Sequence, residues 1–452
     1  MRAKESIMQE NKKNLIYASS IIVLLVALGV IWFFLIQAIN PAVDTTSSTS
    51  DTPVASVSYS ASKVITEDTT IASGEFVSTT ADENAISASG EITANLSNIS
   101  VTKTGDSDGG DNTSFYGTNS AIIAKEGATL NIKGANISTD ANGANGVFSY
   151  GGSATTNNSM SDGTTVNISD STIATTKNNS GGIMTTGGGI MNATNLTITT
   201  AGTSSAAIRS DRGGGTVTVD QGTYKTTGKG SPAIYSTADI TVKNANLIAT
   251  ASEGVVIEGK NSVTLENTTL TDTNNTLNGQ STTYKNIFLY QSMSGDAASG
   301  EAAFTAKNSN IVTNQGDTFY VTNTTATINL ENNQITNNDA SGNFLRIQQD
   351  SWGNSGSNGG TVTLNLANQT AWGNIVVDSI SSLAMNLANG SSFTGAINSD
   401  NAGEVSLTLD SSSSLTLTAD TYLTSLDNAD ATSSNIHLNG HKLFVNGEEW
   451  TK

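Results

Sequence analysis

The chain's densest group of charged residues lies between positions 209 and 260. Its members are Arg209, Asp211, Arg212, Glu253, Glu258 and Lys260. A carboxylate can move a proton while a neighbouring cation balances the charge of an acidic substrate, so the group contains what a β-eliminating lyase requires. No catalytic motif accompanies it, and a sequence does not give the separation of two carboxylates on which a glycoside hydrolase depends. An ion-paired surface turn also explains the group.

Aromatic residues recur on both sides of this charged group. We expect eight residues to line a shallow groove: Tyr150, Arg209, Asp211, Tyr235, Glu258, Tyr290, Tyr320 and Trp352. Phe148, Met184 and Phe288 would share its floor. Aromatic faces stack on the C–H faces of sugars while polar groups bond to the hydroxyls, so this composition favours a saccharide ligand. A slip of one residue in strand register would instead bury the floor aromatics in the core.

A glycine-rich loop, Gly105–Ser114, holds a second candidate site. Asp106, Asp108 and Asp111 supply the carboxylate oxygens that Ca²⁺ prefers, so Ca²⁺ is the one cofactor that the sequence suggests. The loop lacks the distal glutamate of an EF-hand, and acidic glycine loops are often simply solvated.

A repeated pattern of apolar, polar and apolar residues must position these side chains. Its first apolar residue falls at Ile92, Leu130, Val166, Met191, Val217, Ile240, Val263, Phe304, Ile328, Leu364, Met385 and Leu407. Each repeat offers three short β-type stretches that cannot bury their apolar side alone, so the repeats must stack. A leucine-rich repeat would need a helical segment and a leucine signature that are missing. The sequence therefore predicts an all-β fold, a right-handed parallel β-helix of about twelve coils.

Two further columns of residues follow from the same repeat. The polar residue between the two apolar ones is Thr93, Asn131, Asn167, Asn192, Thr218, Thr241, Thr264, Thr305, Asn329, Asn365, Asn386 or Thr408. This column is either a flat surface that docks an ordered polymer or simply what a parallel stack tolerates. From Leu364 onward the third apolar residue shifts by one place, and we expect Trp372 to share a core column with Phe393 and Leu415.

Asparagines recur four positions after the first apolar residue. They are Asn195, Asn244, Asn267, Asn308, Asn332, Asn368 and Asn389. Asparagine tolerates left-handed backbone at turns, and stacked copies can bond to one another. This column resembles the asparagine ladder of the pectate-lyase-like right-handed β-helix superfamily. Phrases such as "SAAIRSDRGGGTVTV" and "EGVVIEGKNSVTL" are similar to cell-surface β-helix proteins of anaerobic bacteria that are described as carbohydrate-binding or adhesin-like.

Extra residues interrupt the repeat in five places, all next to the first strand of a coil. They lie at 105–119, 150–163, 272–285, 290–300 and 348–360. Long loops on a rigid scaffold often carry binding sites, so we expect these insertions to wall the groove.

The sequence predicts five segments. They are a cytoplasmic tail (1–13), a transmembrane signal-anchor helix (14–38), a Ser/Thr-rich linker (39–56), the β-helix ectodomain (57–420) and a C-terminal cap with a hairpin (421–452). Residues 15–36 carry no charge and are long enough to cross a bilayer, while Lys12 and Lys13 precede them. We therefore expect a single-pass plasma-membrane protein with an extracellular C-terminal domain. A cleaved signal peptide is the alternative.

The overall composition narrows the function. The formal charge of −19 argues against nucleic acid as a partner, and the absence of cysteine excludes disulfides and thiolate metal sites. We expect a cell-surface protein that binds extracellular or cell-wall polysaccharide, or that acts as an adhesin toward a host or neighbouring cell. The alternatives are a polysaccharide lyase or hydrolase, and a passive surface stalk without a ligand.

Overall fold

The computed structural model describes residues 57–107, 110–152 and 161–451, which belong to the compact unit Ser56–Lys452. These residues form β-strands and one short helix, Asp111–Tyr116. The predicted tail, transmembrane helix and linker (1–13, 14–38 and 39–56) lie outside the described residues. In the described part of the chain, no helix has the length and apolar character that crossing a membrane requires.

One side of the molecule is a sheet of twelve parallel strands, here called sheet 1. Each strand pairs with the corresponding strand of the next coil. Its strands are Ser60–Ile65, Glu83–Ser89, Ile122–Lys125, Val147–Tyr150, Ile183–Thr186, Ile208–Ser210, Ile234–Ser236, Val255–Glu258, Lys285–Tyr290, Asp317–Thr322, Leu345–Ile347 and Ile375–Val377.

The other sides form a sheet of 22 strands, sheet 2, in which two parallel ladders are joined by the long strands Gly189–Thr200 and Gly215–Thr226. Ladder 2a contains these two strands and Thr69–Ile71, Thr93–Ser97, Thr129–Lys133, Thr165–Ser169, Asp239–Lys243, Ser262–Glu266, Glu301–Lys307, Thr324–Glu331, Gly360–Ala367, Ser382–Ala388, Glu404–Leu409 and Ser425–Asn428. Ladder 2b contains the same two and Gly74–Ser78, Ile99–Lys103, Asn136–Thr139, Thr172–Thr175, Asn246–Ala249, Thr269–Asp272, Asn310–Thr313 and Gln334–Asn337.

Two small sheets complete the C-terminal end. Sheet 3 contains Thr370–Trp372, Ser392–Gly395, Ser414–Leu417 and Ile436–His437, all parallel. Sheet 4 contains Thr421–Leu423, Leu443–Val445 and Glu448–Glu449. Its last two strands pair antiparallel around the turn Asn446-Gly447.

The predicted parallel solenoid is confirmed. Val217, Val219, Ile240 and Val242 lie in the core with at most 1% exposure, because the inward side chains of each coil stack on those of the next. Ladder 2a has fourteen strands rather than about twelve. The two additional strands are the first, Thr69–Ile71, and the last, Ser425–Asn428.

The predicted asparagine column adopts the expected left-handed backbone. Eleven successive coils place a residue with φ between 48° and 66° at this turn: Asn98, Gly134, Asp170, Asn195, Gln221, Asn244, Asn267, Asn308, Asn332, Asn368 and Asn389. Neighbouring side chains bond along the column, since Asn332 Nδ2 donates to Asn308 Oδ1 at 2.7 Å. The turn follows the ladder 2a strand and leads into ladder 2b, or into sheet 3 at Asn368 and Asn389, so it forms the same corner in these eleven coils.

The predicted register of the first repeat is wrong. Ala94, not Ile92, shares the column of Leu130, and Asn95 rather than Thr93 lies beside Asn131. The sequence Ile92-Thr-Ala94-Asn-Leu96 fits the apolar–polar–apolar pattern with either Ile92 or Ala94 as the first apolar residue. The smaller residue, Ala94, occupies the core position. Ala94 is fully buried, whereas Ile92 packs at the edge of the core.

The predicted core position of Trp372 is also wrong. Ala371 pairs with Phe393 in the core column, and Trp372 points outward with 54% of its surface exposed. The rings of Phe344 and Phe393, 5.7 Å apart, already fill this part of the core, so a small residue is accommodated here.

Candidate functional site

The outer face of sheet 1 carries the predicted groove residues. Ile183, Ile208 and Ile234 point into the core. The next column points outward and contains Ile123, Phe148, Met184, Arg209, Tyr235, Val256, Phe288, Tyr320 and Arg346. Its apolar members form clusters that are separate from the main core. The alternative register, with these aromatics inside the solenoid, is therefore excluded.

The expectation of an open groove along this whole face is wrong. Phe148 and Tyr320 are fully buried, Phe288 is 3% exposed and Tyr290 is 6% exposed. The insertions pack down onto the face and cover its aromatics, because an exposed apolar stripe of this length would be unfavourable in water. What remains accessible is a pocket between two covered clusters.

Three insertions converge on this pocket, which has a volume of about 360 Å³. The first contributes the helix Asp111–Tyr116, the second Asn278 and the third Asp296. Arg209, Asp211, Tyr235 and Tyr290 of sheet 1 and its turns line the floor. The volume lies at the lower end of the roughly 300–1,000 Å³ that small-molecule sites occupy.

An arginine–carboxylate pair lies at the floor. Arg209 Nη2 donates to Asp211 Oδ2 at 2.8 Å, and Arg209 Nη1 donates to the carbonyl oxygen of Ser204 at 3.3 Å. Both side chains are largely buried, at 13% and 9% exposure. Burial raises the pKa of Asp211 to about 6, although the Arg209 charge opposes this shift. The pair holds a fixed dipole inside the pocket.

A second ion pair joins two insertions across the pocket wall. Arg212 Nη2 donates to Asp296 Oδ1 at 2.7 Å, and the Arg212 guanidinium lies 4.0 Å from the ring centroid of Phe115. Phe115 belongs to the helix and Asp296 to the loop after Tyr290. The arginine therefore fixes the two walls relative to the floor through two charge-assisted bonds, since Nε also donates to Asp296 Oδ1 at 3.2 Å, and through one cation–π contact.

Glu258 lies behind the floor and is 1% exposed. Tyr235 and Tyr290 both donate their hydroxyls to Glu258 Oε2, the latter at 3.0 Å, and Ser292 donates to Glu258 Oε1. These bonds satisfy a carboxylate that burial would otherwise strongly destabilise. Burial also raises the pKa of Tyr235 and of Tyr290 well above the ordinary tyrosine value. The phenols therefore stay protonated and hold the floor rigid.

Four of the eight predicted residues do not line the pocket: Glu258, which lies behind the floor, and Tyr150, Tyr320 and Trp352. Tyr320 donates to Asp350 Oδ2 at 2.7 Å, and the Trp352 ring packs edge-on against Tyr290 with centroids 4.8 Å apart. Tyr320 is a buried member of the second cluster, which also contains Val256, Phe288 and Tyr290, and Trp352 packs against this cluster. Tyr150 belongs to the first cluster, edge-on to Tyr116 at 5.6 Å, and burial raises its pKa to about 12.

The aspartates of the predicted Ca²⁺ site are not all described. Asp106 Oδ1 accepts a hydrogen bond from the Asn142 backbone amide at 2.8 Å, and Asp111 begins the helix. Asp108 lies outside the described residues. Within ranges 57–107, 110–152 and 161–451, no group of three or more His, Asp or Glu residues is arranged to hold a metal ion. Ca²⁺ at this loop stays a prediction.

Sequence reasoning missed Phe115, Asn278 and Asp296. All three lie on insertions that it did expect beside this face, but nothing in their local pattern distinguishes them from other loop residues. Their role depends on contacts with residues far away in the sequence. Asp296, for example, bonds to Arg212, which is 84 positions away. The insertions were predictable, whereas the residues that they contribute were not.

No protein-family model matches the chain, and no curated protein is similar to it. Stacked parallel strands establish the solenoid, and the superfamily stays a prediction.

Proposed function

We propose that the protein binds polysaccharide at a cell surface through the pocket between the helix Asp111–Tyr116, Asn278 and Asp296. The observation that carries this proposal is the convergence of three insertions on one pocket, floored by an arginine–carboxylate pair and two tyrosines. Rings and fixed hydrogen-bonding groups together suit a sugar, which has both C–H faces and hydroxyls. Adhesion to a host or neighbouring cell would use the same recognition.

Binding fits the chemistry of the pocket better than turnover does. Asp211 is held by Arg209, Asp296 by Arg212, and Glu258 by three hydroxyls. Carboxylates engaged in this way stabilise the shape of the pocket and are poorly placed to accept a proton from a substrate. A polysaccharide lyase or hydrolase is the second candidate, favoured by the pKa of about 6 at Asp211, which suits acid–base catalysis near neutral pH.

The surface location and the fold family belong to the same proposal. The uncharged stretch 15–36 with Lys12 and Lys13 before it supports a single membrane anchor and an extracellular solenoid. The left-handed turn column supports a right-handed member of the pectate-lyase-like superfamily. A passive stalk would not require insertions that enclose a polar pocket.

A glycan array probed with the full chain in detergent tests the proposal. The informative variant is the double substitution Arg209→Gln with Asp211→Asn, which removes both charges of a buried pair and leaves neither unpaired. We expect binding to weaken at least tenfold while the melting temperature changes little. Trp372→Ala is the matched control, because it removes an exposed aromatic outside the pocket and should leave binding unchanged.

Three results would count against the proposal. Unchanged binding in the double variant would place the glycan site elsewhere. Absence of binding to any glycan would favour the stalk. Release of unsaturated or reducing-end products that is lost in Asp211→Asn would favour the enzyme.

A further inference from the structure

The two phenols at the pocket floor can only accept hydrogen bonds from a ligand. Tyr235 and Tyr290 each spend their single hydroxyl proton on Glu258 Oε2, so their oxygen lone pairs remain for the pocket. Asp211 and Asp296 add further acceptors. Arg209 and Arg212 direct N–H groups to these carboxylates, and their other N–H groups and the Asn278 side chain remain as donors. Because the two phenols and two carboxylates offer acceptors beside these engaged arginines, the pocket favours a ligand that donates hydrogen bonds.

The charge around the pocket is negative. Two guanidinium groups, of Arg209 and Arg212, face the carboxylates of Asp111, Asp211 and Asp296, and Glu258 adds another behind the floor. In the described part of the chain, no Lys or Arg nitrogen lies within 4.0 Å of a carboxylate oxygen of Asp111 or Glu258. Like charges repel across a desolvated pocket, so a carboxylated or sulfated sugar would be disfavoured.

The negative charge of Glu258 reaches the ligand through the two tyrosines. Each phenol that donates to a carboxylate becomes a stronger acceptor on its oxygen, because hydrogen bonds in a chain polarise one another. This effect favours a positively charged donor beside the hydroxyl oxygens of Tyr235 and Tyr290.

We infer that the sugar unit taken by this pocket carries a protonated amine. This inference rests on the proposed function and adds the ligand's chemical class: an amine-bearing sugar, preferred to the N-acetylated form and to uronates. The ammonium group supplies three donors to Tyr235, Tyr290 and the neighbouring carboxylates, and its charge balances the excess of acid. An N-acetyl group supplies one amide donor and no charge, and a uronate adds a further negative charge.

The test compares three oligosaccharides of equal length by isothermal titration of the full chain: a glucosamine oligomer, its N-acetylated counterpart and a galacturonate oligomer. We expect the amine-bearing oligomer to bind at least tenfold more tightly than the N-acetylated one, and the galacturonate oligomer to bind weakest. Raising the salt concentration should weaken only the first interaction markedly, because screening acts on charge–charge attraction.

A surface variant isolates the role of charge. Asp111 lines the pocket and is exposed, so Asp111→Asn removes one negative charge without leaving a buried partner unpaired. We expect affinity for the glucosamine oligomer to fall about two- to fivefold, the size of the contribution of one solvent-exposed ion pair. Affinity for the N-acetylated oligomer should fall by a smaller factor, because that oligomer has no charge for Asp111 to attract. Asp400→Asn removes an exposed aspartate outside the pocket and should alter neither.

The inference and the proposed function fail in different ways. If the galacturonate or N-acetylated oligomer binds best and the double variant at Arg209 and Asp211 abolishes that binding, the pocket binds glycans and the amine assignment is overturned. If none of the three oligomers binds and the array also shows no ligand, the proposed function itself fails. Equal loss in Asp111→Asn for charged and neutral oligomers would overturn the role assigned to charge.

Discussion

For single residues of the site, the sequence predicted which face of the sheet each side chain lies on, but not how much of it is exposed to solvent. Strict alternation in sheet 1 correctly placed Arg209, Tyr235 and Tyr320 on the outer face. Exposure was misjudged because it depends on which loop covers each side chain. Glu258, for example, receives hydroxyls from residues 23, 32 and 34 positions away. A repeat pattern contains no information about contacts of that kind.

Asp272 offers a test of how a buried acid affects stability. It ends a strand of ladder 2b with no exposed surface, and its Oδ1 atom has no hydrogen-bond partner among the residues that the structure describes. Burial, and then the charge of Glu253, raise its pKa well above the ordinary value. Since the folded pKa exceeds the unfolded one, the free energy of unfolding should fall as pH rises from about 4 through the raised pKa.

Asp272→Asn should remove this pH dependence, since the amide keeps an acceptor for the Asn274 amide and carries no charge. Urea titrations should show the variant more stable than wild type at about pH 8, and equal to it near pH 3.5. Asp430→Asn is a control of opposite sign. Hydroxyl bonds from Ser434 and Thr432 lower the pKa of Asp430, so its stabilisation exists above about pH 4 and disappears below it. Parallel pH profiles for wild type and Asp272→Asn would contradict the account.

The positions of the strands agree closely with the predicted repeat. The two errors in assigning core residues have the same cause. At Ile92 and Trp372 the larger apolar residue was assigned to the core, whereas the structure uses Ala94 and Ala371. Core volume is shared between neighbouring coils, so the size that fits at one position depends on the rings above and below it. Seven of the eleven positions in the turn column were predicted, because the left-handed backbone restricts the residue type locally. The prediction missed Asn98, which follows the misplaced first repeat, and the three positions where Gly134, Asp170 and Gln221 replace asparagine.

Asn244 tests what this column contributes. It has φ 53° and donates to Asp220 Oδ1 at 2.7 Å. Asn244→Ala should lower the free energy of unfolding by about 1–2 kcal/mol, because alanine is strained in this conformation and loses the bond. Asn244→Gly should cost less, since glycine adopts positive φ freely.

Asn246→Ala is the matched control for this column. Asn246 belongs to the next strand of the same coil and does not have a positive φ. This substitution should change stability by less than about 0.5 kcal/mol. If Asn244→Ala and Asn246→Ala lowered the free energy of unfolding equally, the left-handed turn conformation would not explain the asparagines of this column.

For the whole molecule, the solenoid explains why a binding site arises on sheet 1. The strands of successive coils stack and form the continuous core, and the turns do not contribute to it. Insertions in turns beside one face therefore have little effect on the stability of the solenoid. Two of the three insertions that meet at the pocket flank the same strand of sheet 1, Lys285–Tyr290, whereas the helix Asp111–Tyr116 precedes Ile122–Lys125, six strands earlier in that sheet. The number of coils was underestimated because the end turns, Thr69–Ile71 and Ser425–Asn428, lack the full apolar pattern of the interior ones.

The proposed orientation of the whole chain can be tested with single cysteines, because the natural chain has none. Cations before the stretch 15–36 predict that the N-terminus stays in the cytoplasm and that the solenoid is exported. Asp400→Cys introduces a thiol at an exposed turn of the solenoid, and Ser6→Cys introduces one in the predicted tail. A membrane-impermeant maleimide on intact cells should label Cys-substituted position 400, and should label position 6 only after lysis. Labelling of position 6 alone on intact cells would reverse the orientation, and labelling of both only after lysis would exclude a surface location.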